Sequence, residues 1–418
     1  MFYARAIESS LKPSPIPVVV LEGARAVGKT VVAQRLVEAG IYDDYVNLAD
    51  PLTAQLASMD TPHWLASLPE RTVIDEAQLL PDLPLYVKLL VDRPGSKRSL
   101  LLTGSAALGR TGLGGADPLT GRAIRRRIWP MTRFELLSKP ERMLTLIDDL
   151  FSGEIASQRN HPPLGVESLL RTGGFPRLAI AQADEATVER WVEGATTGLL
   201  TEHVLPDERF DAGSARRVLD GCLREPGGIL NLASLGQRLG ADPRTVDRYL
   251  DVLERRFLLH HLPNLAQNLA RQNRARAKIH AVDTAFVSEA IRRADPAKSA
   301  SPHVLGKVFE TWVVNQLLPC LEVTHRAVSA FYWRDAIRGK NKPEGQKQNE
   351  VDLVLIDGTG ATVGIEVKMS STFSLHDIGG LQSLRKARGM DFGYLIYTGT
   401  KTMRLAENIY ALPVAALG

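Results

Sequence analysis

The residues most able to do chemistry begin with a lysine and a threonine set between glycines. Gly23-Ala24-Arg25-Ala26-Val27-Gly28-Lys29-Thr30, followed by Val31, has the spacing G-x4-G-K-[ST]. In such a loop successive backbone amides point at phosphate oxygens, and the helix that starts at the lysine adds the positive end of its dipole. Lys29 would reach the β and γ oxygens of a nucleoside triphosphate, and Thr30 would ligate Mg2+. About 45 residues beyond the loop, Thr72-Val73-Ile74 runs into Asp75-Glu76. One carboxylate there can hold the water shell of the magnesium and the other can polarise an attacking water. A third apolar run ends Leu102-Thr103-Gly104-Ser105, which places two hydroxyls where a γ-phosphate would be sensed. The chemistry expected of this set is Mg2+-dependent binding and hydrolysis of ATP.

A second constellation lies near the carboxyl end. Glu310 sits in a helical pattern, Asp352 in the run Glu350-Val351-Asp352-Leu353, and Glu366-Val367-Lys368 closes a run that begins at Thr362. The turn Asp357-Gly358-Thr359-Gly360 would fold the last two runs into a hairpin, with Asp352 and Glu366 side by side. Two carboxylates and the Val367 carbonyl form a hard oxygen site suited to Mg2+ or Mn2+. Strand side chains alternate, so Lys368 would share the face of Glu366 and could orient a hydrolytic water beside a scissile phosphate. Arg334, Arg338, Lys340, Lys342 and Lys347 lie in the polar loop beside this set, as a DNA backbone would require.

These residues need strands and helices to hold them. Between Pro17 and Phe134 the runs Pro17–Leu21, Tyr45–Leu48, Arg71–Ile74 and Ser99–Thr103 alternate with helical patterns, with Arg127-Ile128-Trp129 as a fifth run. Their unbroken apolarity predicts parallel strands buried on both faces. From Glu135 to Asn264 the pattern is helical, broken at Gly173-Gly174 and Pro226-Gly227-Gly228. Within it, Leu230–Leu250 predicts two helices around a tight turn. Gly240 ends the first, Asp242 caps the second, and Pro243 takes its first position. Arg244, Thr245 and Arg248 would then face outward, as a major groove requires. The polar stretch Arg271–Lys278 follows, and strands and helices alternate again from Ile279.

Composition excludes several classes. With 418 residues, 44% hydrophobic and 23% charged, the chain is globular and long enough for two or three domains. A net charge of +4 permits nucleic acid as a partner without requiring it. Two cysteines, Cys222 and Cys320, rule out a disulfide scaffold and a thiolate zinc site. No apolar run of about 18 residues and no secretory leader is present, so a cytoplasmic protein without a membrane partner is expected.

The first set of motifs resembles the AAA+ ATPases, in particular a prokaryotic branch whose acidic strand continues Asp-Glu-x-Gln, here Asp75-Glu76-Ala77-Gln78. The resemblance implies Asp75 on the metal, Glu76 as the catalytic base and Thr103 or Ser105 as the γ-phosphate sensor. Its relatives work as rings in which a neighbour supplies an arginine, which implies a homo-oligomer with Arg122, or else Arg110, in that role. Arg171-Thr172-Gly173-Gly174-Phe175-Pro176-Arg177 resembles a Gly-Gly-Phe/Tyr-Pro signature of the same branch, and implies a helical lid from which Arg177 touches nucleotide. The carboxyl-terminal set resembles the PD-(D/E)xK restriction-endonuclease-like superfamily, with Glu310, Asp352, Glu366 and Lys368 in its motif and Gln382 at a further position some members use. Val351 stands before Asp352 where that motif carries proline.

The fold expected is therefore α/β. It comprises a P-loop AAA+ parallel sheet over residues 1–134, a helical lid and winged helix-turn-helix over 135–264, and a restriction-endonuclease-like α/β domain over 265–418. Two functions compete. One is an ATPase fused to a metal-dependent DNA nuclease; the other is a nucleotide-gated DNA- or protein-binding switch with an inert nuclease fold. Pure ATP-driven remodelling lies between them.

Overall fold

The computed structural model describes residues 3–105, 108, 117–201, 211–265, 276–335 and 349–418. The amino-terminal unit is built from β1 (Val18–Glu22), α1 (Lys29–Glu38), β2 (Asp44–Asn47), α2 (Pro51–Met59), α3 (Thr61–Ser67), β3 (Arg71–Asp75), α4 (Leu83–Val91), β4 (Ser99–Gly104) and β5 (Ala123–Arg127). The strands form one parallel sheet in the order β2-β3-β4-β1-β5. Every residue of β1 is buried, and its pleat divides them between two cores. Val19 and Leu21 pack on the side of Val32, Ala33 and Leu36 from α1, while Val18 and Val20 pack with Leu65, Leu83 and Val87. Unbroken apolarity is thus what a strand with a core on each face needs.

The fifth strand lies four residues earlier than expected, at Ala123–Arg127, paired from Val18 opposite Ala123 to Glu22 opposite Arg127. An edge strand needs only one apolar face, so its arginines fit the sheet, and the apolar Ile128 and Trp129 run past it into the core.

The middle of the chain supplies α5 (Arg133–Leu136), α6 (Arg142–Ser152), α7 (Glu167–Thr172), α8 (Pro176–Ala179), α9 (Glu185–Thr201), α10 (Ala212–Leu223), β6 (Gly228–Ile229), α11 (Leu232–Leu239), α12 (Pro243–Arg255), β7 (Leu259–Leu262), β8 (Lys278–Ala281), α13 (Thr284–Ala294) and α14 (Pro296–Ser299). Gly240, Asp242 and Pro243 take the helix-end positions expected of them. Asn231 and Asp242 accept amide hydrogens at the starts of α11 and α12, and Gly240 leaves α11 in the left-handed region at φ +65°. Strand pairing crosses the expected boundary after Asn264. β8 pairs antiparallel with both β6 and β7, so the small sheet β6-β8-β7 draws its central strand from beyond it.

The remaining elements are α15 (Pro302–Leu321), β9 (Val328–Arg334), β10 (Glu350–Asp357), β11 (Thr362–Lys368), α16 (Gly379–Arg388), β12 (Phe392–Tyr397), β13 (Met403–Ala406) and β14 (Ile409–Pro413). They build a mixed sheet, β13-β14-β12-β11-β10-β9, with the expected hairpin between β10 and β11. Helix α6 packs against α15, β11 and β12, and the Tyr394 hydroxyl donates to the Leu150 carbonyl at 2.7 Å. No described helix is long and apolar enough to cross a membrane.

Candidate nucleotide site and a second acidic centre

The carboxyl ends of β1, β3 and β4 meet along one sheet edge, which is where open α/β sheets hold ligands. The loop leaving β1 is held tightly there. A Cβ on Gly23 would stand 2.4 Å from the Ile128 carbonyl oxygen, and Gly28 turns into α1 at φ +104°. Ala26 also lies in the left-handed region, at φ +63°, while Arg25 and Ala26 are exposed. Lys29 is buried, and its ammonium donates to the Gly23 and Ala24 carbonyls at 3.0 and 2.9 Å. Burial lowers its pKa to about 8, the charges of Glu76 and Asp75 opposing that fall and Arg25 adding to it. Val31, on the first turn of α1, is exposed.

Asp75 is fully buried and has a donor on every side. Its Oδ2 accepts from Thr30 Oγ1 at 2.7 Å and from the Tyr45 hydroxyl at 2.6 Å. Its Oδ1 accepts from the Thr103 hydroxyl and from the Glu76 amide at 3.1 Å. Glu76 follows in the left-handed region at φ +55°, a costly conformation for a glutamate and one that collects at working sites. Its carboxylate accepts from the Gln78 amide, which also donates to Ser105 Oγ at 3.1 Å. The structure thus brings together Lys29, Thr30, Asp75, Glu76, Thr103 and Ser105.

Sequence reasoning missed two residues here. Arg5 is buried and spends all three guanidinium nitrogens on the loop's surroundings. It donates to the Val27 carbonyl at 2.9 Å, to the Trp129 carbonyl at 2.6 Å and to Glu135 Oε1 at 2.9 Å. Tyr45 completes the shell of Asp75 from β2. Both act across tertiary distance, where no motif spacing points.

The arginines expected to act at a distance are placed differently. Arg122 Nε lies 2.6 Å from Asp92 Oδ1 of its own chain. Arg110 lies outside the described residues. Arg177 is exposed on α8. The Gly-Gly turn before it joins two units. The Met131 amide donates to the Gly174 carbonyl at 2.7 Å, and the Gly174 amide donates to Asp283 Oδ2 at 2.7 Å. Asp283 is buried, which raises its pKa to about 7 against those amide donors.

The carboxyl-terminal acids do converge. The hairpin register, Leu353 opposite Ile365, sets Asp352 level with Glu366, and Glu310 faces them from α15. At their centre stands a residue the sequence reading left in a basic stretch. Lys278 of β8 is 1% exposed, and its Nζ lies 2.7 Å from Glu310 Oε1, 2.7 Å from Glu350 Oε1 and 2.8 Å from Asp352 Oδ1. Burial alone would strip its proton, but Asp352, Glu310 and Glu350 override that and hold its pKa well above the ordinary lysine value.

Burial, with Asp352 adding to it, raises Glu310 to about 7 against the pull of Lys278. Burial likewise drives Glu366 well above the carboxylate range, and its Oε2 has no hydrogen-bond partner. Val367 presents its amide to Asp352, donating to Oδ2 at 3.0 Å, where a carbonyl ligand was expected. Lys368 extends out to Asp377 Oδ1, 2.6 Å away, and does not reach Asp352. Gln382 is exposed on α16. Of the basic loop only Arg334 is described, 3.6 Å from Glu350 Oε2; Arg338, Lys340, Lys342 and Lys347 lie outside the described residues. Among the described residues no group of three or more His, Cys, Asp or Glu side chains is spaced as a metal-ligand set.

Comparison with known proteins divides the chain in three. Residues 16–137 match the AAA domain family, residues 165–297 a domain of unknown function (DUF8612), and residues 305–417 a second one (DUF4143). The uncharacterized proteins Rv2008c of Mycobacterium tuberculosis and Mb2031c of Mycobacterium bovis are each 27% identical over 408 residues, which is 95% of this chain and 80% of theirs. Among solved structures, the RuvB Holliday junction branch migration motor of Thermotoga maritima is 20% identical. That match covers 59% of this chain and 82% of that one, at a TM-score of 0.27, too low to bear on the fold. The family match and the strand-edge geometry agree: residues 16–137 are a P-loop ATPase domain of the AAA class.

Proposed function

We propose that this chain is an ATP-hydrolysing, DNA-binding switch whose carboxyl-terminal domain serves as a scaffold in the conformation described. The observation that carries the ATPase half is the 2.7 Å contact between Thr30 Oγ1 and Asp75 Oδ2, two oxygens 45 residues apart in sequence. Hard oxygen donors of this kind fit Mg2+, with Thr30 as a direct ligand and Asp75 holding its waters. Mg2+ in that position supplies neutralisation of the charge that builds on the β and γ oxygens. The loop amides from Gly23 to Thr30 would cradle the phosphates. Lys29 would exchange the Gly23 and Ala24 carbonyls for phosphate oxygens, which are stronger acceptors. Glu76 would polarise the attacking water. Gln78 holds it to Ser105, so a γ-phosphate that engages Ser105 would free the carboxylate.

The DNA half rests on α10, α11 and α12 over the sheet β6-β8-β7, the layout of a winged helix. Arg244 and Arg248 are exposed on α12, on the face a major groove would meet. In a homo-oligomer Arg122 would have to leave Asp92 to enter a neighbour's site.

Metal-dependent DNA cleavage is the weaker reading. The order of helix, hairpin and following strand supports a restriction-endonuclease-like fold, but an ammonium already engages the acids and Lys368 is turned away from them. The test is nucleotide binding and turnover by the purified chain. Lys29→Ala should abolish ATP binding, whereas Glu76→Gln should bind ATP and stop turnover; undiminished hydrolysis by Glu76→Gln would reject the base. In the same preparation Arg244→Ala with Arg248→Ala should lower the salt slope of duplex binding by about 2. DNA cutting in Mg2+ or Mn2+ that disappears in Asp352→Ala would restore the nuclease reading.

A further inference from the structure

We propose that Lys278 is the resident cation of the carboxyl-terminal acidic centre. It stands where the acids would otherwise take a divalent metal, and it latches the sheet β6-β8-β7 onto the carboxyl-terminal domain.

The geometry is that of a filled site. An ammonium has three N–H donors and no acceptor. Lys278 donates to Glu310 Oε1 at 2.7 Å and to Asp352 Oδ1 at 2.8 Å and pairs with Glu350 Oε1 at 2.7 Å, so three carboxylates surround the one ammonium. The second oxygen of Asp352 is taken by the Val367 amide. A divalent ion needs these same oxygens within about 2.0–2.6 Å, which the ammonium prevents.

Glu366 Oε2, buried beside this set with no hydrogen-bond partner, is an oxygen of the same centre that the lysine leaves unengaged. The approach of β8 is also shaped. A Cβ on Gly227 would come within 2.8 Å of Glu310 Oε1, and the Gly227 amide donates to Ile279, the residue after the lysine. From the other side, Tyr332 of β9 lies 5.7 Å from Nζ and donates its hydroxyl to the Arg276 carbonyl, fixing the chain that leads into β8. Breaking one partner of such a buried set leaves uncompensated charge, so the contact holds the two units together for as long as β8 stays in place.

The experiment measures Mn2+ binding by calorimetry and electron paramagnetic resonance on the full chain, nucleotide-free and in a Lys29→Ala background that silences the phosphate loop. With Lys278 present, Mn2+ binding should be the same with and without Asp352→Asn. Lys278→Ala should gain one Mn2+ per chain, with a rise in melting temperature on adding the metal, and Asp352→Asn should remove both. Lys278→Arg, which keeps a cation there, should gain none. Where Lys278→Ala alone does not fold by circular dichroism, Lys278→Ala with Glu350→Gln relieves the repulsion and takes the same measurement. Mn2+ bound at the Asp352-dependent site with Lys278 in place would overturn the proposal. So would a folded Lys278→Ala, or its Glu350→Gln companion, that takes up no metal.

Discussion

Lys29 makes ATP affinity depend on pH, and the size of the effect follows from its surroundings. Its ammonium is buried on the loop carbonyls with a pKa of about 8. Phosphate oxygens brought beside it favour the charged form, so ATP binds the protonated protein and raises that pKa. The linkage therefore runs one way. Affinity is full below the free-protein pKa and falls as pH rises through it. About nine tenths of the free protein carries the proton at pH 7 and about one tenth at pH 9, so Kd should rise about tenfold over that span, or ~1.4 kcal/mol. The terminal phosphate of ATP loses its last proton near pH 6, so the window above 7.5 belongs to the protein. Titration calorimetry at pH 9 in buffers of different ionisation heat should show close to one proton taken up per ATP. Lys29→Arg keeps its charge throughout. It should bind more weakly but with a Kd that does not change from pH 7 to 9. A wild-type Kd constant within twofold across pH 7.5 to 9.5, with circular dichroism unchanged, would refute this account of the site.

Two further outcomes follow from close contacts. Gly173→Ala would set a Cβ 1.8 Å from Asp283 Oδ1 at φ +66°, so it should cost about 2–4 kcal/mol in urea unfolding; a loss under 0.5 kcal/mol would mean the Gly-Gly turn is not the joint described. Arg5→Ala would leave the Val27 and Trp129 carbonyls without their donor and take the charged partner from the buried Glu135, and should lower both melting temperature and ATP affinity. Arg5→Lys should not rescue it, because an ammonium cannot meet three acceptors spread along a planar fork.

How much of this was legible in the sequence depends on the distance between partners. The phosphate loop, Asp75 at the end of β3 with Glu76 just past it, and the turn between α11 and α12 are local patterns that the structure keeps. The roles of arginines and lysines were not legible, because a long basic side chain chooses among acids that only the fold assembles. Arg122 finds Asp92 from α4's end, and Lys368 finds Asp377 although strand alternation put it on the side of Glu366. Lys278 is the extreme case, since its partners lie 32 and 74 residues further along the chain. The pairing across Asn264 was hidden for the same reason. Polar composition marks a connection, but β7 and β8 pair across it, and pairing between strands is invisible to composition.

The buried lysine also bears on why the units sit as they do. A hydrophobic strand packed on a hydrophobic face tolerates small slides, because neighbouring apolar side chains substitute for one another. β8 has no such freedom. A slip of one residue would turn Lys278 out of the acidic centre and bring Ile279 in, because successive strand side chains face opposite ways. Glu310, Glu350 and Asp352 would then lose the ammonium they share, leaving their charge poorly compensated at a cost of several kcal/mol. Hydrophobic replacements of similar volume throughout could stabilise such a junction as well or better, so its four charged groups are poorly explained by stability alone. What they do provide is one register for β8 against the carboxyl-terminal domain. Asp283, two residues beyond β8, carries that register on to Gly174 and Met131, and so to the end of the strand that lies beside the phosphate loop.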